Sequence, residues 1–228
     1  RYELSGYTGR NYGAGSAPAI ARTQLSSVHL HQRPDGDERY DSTRTSLGGG
    51  VVSLSFAKIS GTIRFNTYLR SASTQIELND LGLVPLINDR QIRNSISLRP
   101  SRPMGFFRSS FSNLELENHW TSGGLPTGAA VRLHTSFSMK NSWGWALTYQ
   151  LQNYGANYCV SCARGGPALR YAPSQTLQAN LVGDPRMGVI PRLEWAVSRG
   201  DGGRSWERRG AAGADLRISS RFSTSLSL

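Results

Sequence analysis

Residues 61–70, GTIRFNTYLR, place Ile63, Phe65, Thr67 and Leu69 in alternation with Arg64, Asn66, Tyr68 and Arg70. A period of two marks a strand with two unlike faces. The alternation recurs along the chain. Val52, Leu54 and Phe56 are set against Ser53, Ser55 and Ala57, and Ile92, Ile96 and Leu98 against Arg93, Ser95, Ser97 and Arg99. Val131, Leu133, Phe137 and Met139 alternate with Arg132, His134, Ser136, Ser138 and Lys140. Trp143, Trp145, Leu147, Tyr149 and Leu151 alternate with Gly144, Ala146, Thr148, Gln150 and Gln152. Val189, Leu193, Trp195 and Val197 alternate with Ile190, Arg192, Glu194 and Ser198. In the tail, Leu216, Ile218, Phe222, Leu226 and Leu228 face away from Arg217, Ser219, Arg221, Ser223, Ser225 and Ser227.

These runs are about 8–13 residues long, against a mean of about 5–6 for globular strands. They match the ~9–11 residues of a tilted strand that crosses a bilayer. Short connections are predicted at 58–61, 99–105 and 140–142, and longer Gly- and Pro-containing ones at 32–44, 120–128 and 198–210. Short turns on one side and long loops on the other are the habit of outer-membrane barrels. Trp120, Trp143, Trp145, Trp195 and Trp206 are expected near segment ends, where an interfacial aromatic belt would put them. Residues 17–27 predict a short helix, and LNDLGLVPLIND, from 78 to 89, a compact loop.

The expectation is an all-β fold, an antiparallel transmembrane (outer-membrane) β-barrel, incomplete, with about ten strands visible. One domain is read over 1–228, as a fragment of a longer chain, because RYELSGYTG and LRISSRFSTSLSL both sit mid-pattern. The soluble alternative, a β-sandwich, needs two densely packed apolar inner faces. Here the apolar face mixes in Thr and Trp, and the other is rich in Ser, Gln and Arg.

Composition narrows the partners. Lys plus Arg number 26 and Asp plus Glu 15, a net charge of +11, and the hydrophobic share is 38%. Almost all of the positive charge is arginine, which pairs with carboxylate and phosphate through a planar fork. Nucleic-acid binders gather such charge in a patch or stripe. In this chain the arginines are spread singly along alternating strands, so no nucleic acid is expected. Arg64, Arg70, Arg93, Arg99, Arg132, Arg192, Arg217 and Arg221 fall on the polar side and are expected to face a wet lumen. Acids on that side, such as Glu194, look too few to neutralise them. A cationic lumen favours anionic solutes. The alternative is an Arg–carboxylate ladder that fills a narrow barrel.

Other chemistry is sparse. Asn79, Asp80 and Gly82 order a loop through side-chain to backbone bonds, or sit at a binding mouth. Asp35, Asp37, Glu38 and Asp41 lack the fixed spacing of a calcium loop. Cys159 and Cys162 are the only cysteines, too few for a structural zinc site. In an oxidising compartment they are disulfide candidates, with free thiols as the alternative. Gly165, Gly166 and Pro167 read as a turn. His29, His31, His119 and His134 are the histidines available to a hydrolase, and no G-x-S-x-G accompanies them. No catalytic residue, metal or cofactor is expected, and the protein is not expected to be an enzyme.

Three stretches carry a family resemblance: SSVHLHQRPDGD at 26–37, IELNDLGLVPLINDRQIRNSISLRP at 76–100 and RGGPALR at 164–170. They resemble the C-terminal barrel of the bacterial domain-of-unknown-function family numbered 5916. The distinctive points are Gln32-Arg33-Pro34-Asp35, Asn79-Asp80-Leu81-Gly82 and Arg164-Gly165-Gly166-Pro167. The resemblance implies a location in the bacterial outer membrane, in contact with its lipid. It also implies an N-terminal domain like family-9 carbohydrate-binding modules, missing from this chain, so no sugar-binding residue carries over. The functional expectation is a channel or transporter-like protein for polar or anionic solutes, carbohydrate-related ones among them. A surface anchor for the carbohydrate-binding domain is the alternative. A barrel hydrolase using His29 and His31 is a third reading.

Overall fold

A computed structural model describes residues 1–26, 29, 31, 39–76, 87–162, 166–217 and 223–227. The chain opens with β1 (Tyr2–Ala14), helix α1 (Ala17–Leu25), β2 (Ser46–Lys58), β3 (Ile63–Ala72) and β4 (Asp89–Leu98). It continues with β5 (Phe107–Trp120), β6 (Pro126–Met139) and β7 (Gly144–Gln152). Two short strands follow, β8 (Tyr158–Cys159) and β9 (Leu169–Arg170), and then β10 (Ser174–Val182) and β11 (Val189–Gly200). The last two are β12 (Ser205–Arg217) and β13 (Ser223–Ser227).

Eleven of these strands form one antiparallel sheet in chain order, interrupted only by the separate β8–β9 pair. The all-β antiparallel fold is therefore as the alternation predicts. The sheet is open among the described residues: β1 pairs with β2 alone and β13 with β12 alone. More strands are present than the ten expected. Strands β5, β10 and most of β12 fall outside the alternating runs, although Leu114-Glu115-Leu116-Glu117 carries the same period, and the tail read as one run divides between the end of β12 and its antiparallel partner β13.

Residues 15–45, 73–88, 121–125, 153–173 and 201–204 join strands at one edge, while 59–62, 99–106, 140–143 and 183–188 join them at the other, so the three longest connections share one edge but two short ones lie there too. The stretch 198–210 is mostly strand, with β11 running to Gly200 and β12 starting at Ser205, and the connection expected over 120–128 shrinks to 121–125, because β5 runs to Trp120 and β6 starts at Pro126. Polar Gly-containing sequence continues a ladder when the partner strand fixes the register, so composition alone overstated those loops. Gly61, at φ +93 in the β2–β3 turn, adopts a backbone that L side chains rarely take. Helix α1 forms where expected, with Pro in its first turn. No described helix is long and apolar enough to cross a membrane.

The two faces of the sheet are exposed in the opposite sense to a soluble protein. Register aligns Leu4 with Phe56, Leu54 with Leu69, Phe65 with Ile96, Leu114 with Leu133 and Leu181 with Leu193 on one face. That face is open: Val52 is 53% exposed, Leu54 46% and Leu193 50%. Between them on the other face, Ser53 is 5% exposed and Gln91 7%. On β2 to β5 the apolar side chains are bare and the polar ones crowded, whereas on β1 and β11–β12 both faces are open, with Tyr7, Glu194 and Arg209 exposed on the polar side. Trp120, Trp143, Trp145 and Trp206 sit at or beside strand ends, but Trp195 sits mid-way along β11, opposite Ala179.

Candidate functional site

The crowded polar face is densest near the 73–88 edge, where β3, β4 and β5 meet. Pairing places Arg70 opposite Gln91, Gln91 opposite His119, and Arg93 opposite Glu117. Arg70 Nη1 donates to Asp89 Oδ2 at 3.0 Å, and the Asp89 side chain is 3% exposed. His119 Nδ1 lies 2.9 Å from Asp89 Oδ1 and its Nε2 lies 3.0 Å from Glu117 Oε1. Glu117 Oε1 also accepts from Arg93 Nη2 at 2.8 Å and from the Gln91 amide. The Arg93 guanidinium stacks over the Tyr68 ring, 5.9 Å from its centroid.

This is a chain of alternating charge across three strands. Both ring nitrogens of His119 face carboxylates, and only the cationic ring donates to both at once. No described hydroxyl or thiol is hydrogen-bonded to that ring, so the Ser–His geometry of a nucleophilic site is absent from it. Among the described residues, no group of three or more His, Cys, Asp or Glu is arranged to hold a metal ion.

A small apolar roof covers the same edge. Val51, Ala72, Ile76 and Ile87 form a buried cluster, and Ile76 is fully enclosed. Burying such a side chain is worth about 1.5–3 kcal/mol. Gly49 on β2 makes room for it: a Cβ there would lie 2.2 Å from the Ile76 amide nitrogen. The backbone after β3 therefore rests on the polar face. Nearby, the buried Gln24 of α1 donates to the Asp41 carbonyl at 2.8 Å and accepts from the Asp41 amide at 3.0 Å, tying the helix to the chain ahead of β2.

Of the polar-side arginines read from the sequence, Arg70 and Arg93 belong to this network. Arg132 Nη1 donates to Glu115 Oε1 at 2.9 Å, and Arg192 Nε to Asp215 Oδ2 at 2.8 Å. The sequence reading undercounted the acids on this side. Glu3, Asp89, Glu115, Glu117, Glu194, Glu207 and Asp215 all share it by register. Their partners sit on neighbouring strands, where chain spacing does not reveal them. Arg64, Arg99 and Arg217 lack a carboxylate partner among the described residues. Arg64 Nε donates to the Gly61 carbonyl, Arg99 lies 4.8 Å from the Phe111 ring centroid, and Arg217 is exposed. All three lie at the short-turn edge, as does Arg108, which donates to Ser138 Oγ. Arg221 lies outside the described residues.

The loop motifs are scattered. Arg33, Pro34, Asp35, Asn79, Asp80, Gly82 and Gly165 lie outside the described residues; Gly166 and Pro167 precede β9. Cys159 and Cys162 are joined by a disulfide, with Cα atoms 5.6 Å apart. His134 pairs with Thr148 Oγ1 at 2.9 Å, and His31 is buried. Neither is drawn into the β3–β5 network.

A protein-family model described as Domain of unknown function (DUF5916) matches residues 19–228. No curated protein and no solved structure matches the chain.

Proposed function

We propose that this chain, which belongs to the family described as Domain of unknown function (DUF5916), is the membrane-embedded part of a bacterial outer-membrane β-barrel that passes polar or anionic solutes. The observation that carries the reading is the reversed exposure of the sheet. Leu54 and Leu193 are open while Ser53 and Gln91 are covered. Soluble monomers rarely leave contiguous apolar surface beyond a few hundred Å² in water. A bilayer accepts such a surface, and a curled sheet with its polar side inward supplies the wet interior. The chain-order meander and the three longest connections, which share one edge, support the same reading.

In this reading a solute meets two electrostatic zones. Arg64, Arg99 and Arg217 at the short-turn edge, free of carboxylate partners among the described residues, attract anions. Deeper in, the paired Arg70–Asp89 and Arg93–Glu117 groups offer both signs, which suits polar and zwitterionic molecules. The test is planar-bilayer conductance of the full-length protein, with reversal potential in a salt gradient. Anion-selective current is expected. Cation-selective or charge-blind current would remove the arginines' role.

A second reading is a closed barrel that anchors another domain. The Ile76 roof and the paired arginines favour it, since both fill space on the polar face. Folded, heat-modifiable protein with no conductance would select it.

A further inference from the structure

The apolar face carries charge of one sign only, and at defined places. Every described strand carboxylate lies on the polar face. By register, Lys58 is on this face at the short-turn end of β2, and the arginines on it are Arg10, Arg90, Arg199 and Arg208. Each arginine is exposed and lies within a few residues of the long-loop end of its strand. None has a carboxylate partner among the described residues. Arg90 and Arg208 each have a tryptophan on the same face: Trp120 is the cross-strand partner of Arg90, and Arg208 lies 4.9 Å from the Trp206 ring centroid.

Two connected hollows surround Arg90. The upper one, about 510 Å³, has Thr8, Ser71 and Ser73 on its walls, and a floor opened by Gly50, which lacks a side chain. The lower one, about 400 Å³, is walled by Leu54, Leu69 and Trp120. They share Val52, Ser71 and Arg90. The result is one groove with a hydroxyl- and guanidinium-lined head and an apolar tail, running from the loop edge down the bare face.

We propose that this groove holds a phospholipid of net negative charge, with the phosphate on Arg90 and an acyl chain along Leu54 and Leu69. Charge complementarity selects the occupant: an unpaired guanidinium binds phosphate through its planar fork, and no acid on that face competes. Geometry selects a lipid over free phosphate, because the apolar hollow continues directly below the cation. Near an interface, an arginine on the lipid-facing side costs little. The second site of the same kind, Arg199 and Arg208 around Trp206, lies at the same edge. Together they make a cationic collar at the long-loop edge. The inference rests on the membrane reading above.

The test is native mass spectrometry of the full-length protein in detergent with added dioleoylphosphatidylglycerol or dioleoylphosphatidylcholine. The expected result is preferential retention of phosphatidylglycerol. Arg90→Gln should lower that retention about fivefold, the effect of one cation beside an anionic headgroup. Arg90→Lys, which keeps the charge but not the planar fork, should retain an intermediate amount, and Lys140→Gln, at the opposite edge, should change nothing. Equal retention of the two lipids, or an equal loss in Lys140→Gln, overturns the proposal. Quenching of tryptophan fluorescence by brominated lipid in vesicles separates the two failures. Quenching without lipid preference sinks the groove and leaves the membrane reading standing, whereas absence of quenching sinks both.

Discussion

Arg70 on β3 and Asp89 at the start of β4 form an ion pair of 3.0 Å, with the guanidinium 19% exposed and the carboxylate 3%. Asp89 simultaneously meets His119 on β5, so one carboxylate joins three strands beneath the Ile76 roof. Removing one partner of a buried pair leaves an uncompensated charge.

Asp89→Asn should therefore destabilise the fold by about 3–5 kcal/mol. Arg70→Met in the same background should recover part of that loss, because no unpaired guanidinium then remains. Urea unfolding of detergent-refolded protein, read by the heat-modifiable electrophoretic shift, measures both. Additive losses in the double variant would show that the pair is not coupled.

The Gly48-Gly49-Gly50 run offers a paired steric test. A methyl group on Gly49 would strike the backbone of Gln75 and Ile76, whereas one on Gly50 meets nothing nearer than the Gly9 carbonyl, at 3.4 Å. Gly49→Ala should cost about 1–3 kcal/mol as an overpacking change. It should also raise protease cleavage after β3, by lifting Ile76 from its seat. Gly50→Ala should leave the cleavage pattern unchanged. Limited proteolysis of the two variants in one experiment distinguishes roof displacement from a general loss of β2.

The alternation of Ile63, Phe65 and Leu69 with Arg64, Asn66 and Arg70 made the strands and their two faces legible before any coordinates. A period of two is a backbone property and survives in one dimension. The charge network was not legible. His119 contacts Asp89 from 30 residues away and Arg93 contacts Glu117 from 24, across ladders whose register a single sequence does not state. The missed signal was β5 itself, where Glu115 and Glu117 alternate with Leu114 and Leu116. The cationic collar was hidden for a different reason. Arg10, Arg90 and Arg208 sit at positions whose face is known only once the strand pairing is fixed.

The β10–β11 turn provides a pH test away from the bare face. Asp184 accepts from the Arg186 amide and from its guanidinium, at 2.6–3.0 Å, and these bonds hold its carboxyl down to about 2. A carboxyl depressed in the folded state contributes stability above its unfolded value near 3.9, lost as pH falls through the folded one. The Arg186 contact should thus be intact at pH 5 and dissolve between about pH 4 and pH 2. A ¹³C carboxyl titration of labelled aspartate should show this midpoint for Asp184, moving up towards the ordinary value in Arg186→Gln. An unchanged midpoint in that variant would mean that the side-chain pair does not form in solution.

The short-turn edge decides between attraction of anions and simple filling of the polar face. Arg99 and Arg64 lie on adjacent strands close to the same turn, and neither meets a carboxylate among the described residues. Arg93, further along β4, is neutralised by Glu117. If the unpaired cations set selectivity, Arg64→Gln with Arg99→Gln should move the reversal potential towards zero with stability nearly unchanged. Arg93→Gln should instead destabilise the fold, because Glu117 then keeps only its Gln91 and His119 contacts, and should move the reversal potential away from anions only through that less compensated carboxylate. Arg93→Gln with Glu117→Gln removes both charges and should restore the parent selectivity. Equal shifts from the exposed pair and from the neutral double replacement would show that the pore field is set by the lining as a whole, and the separate role of the short-turn arginines would fall.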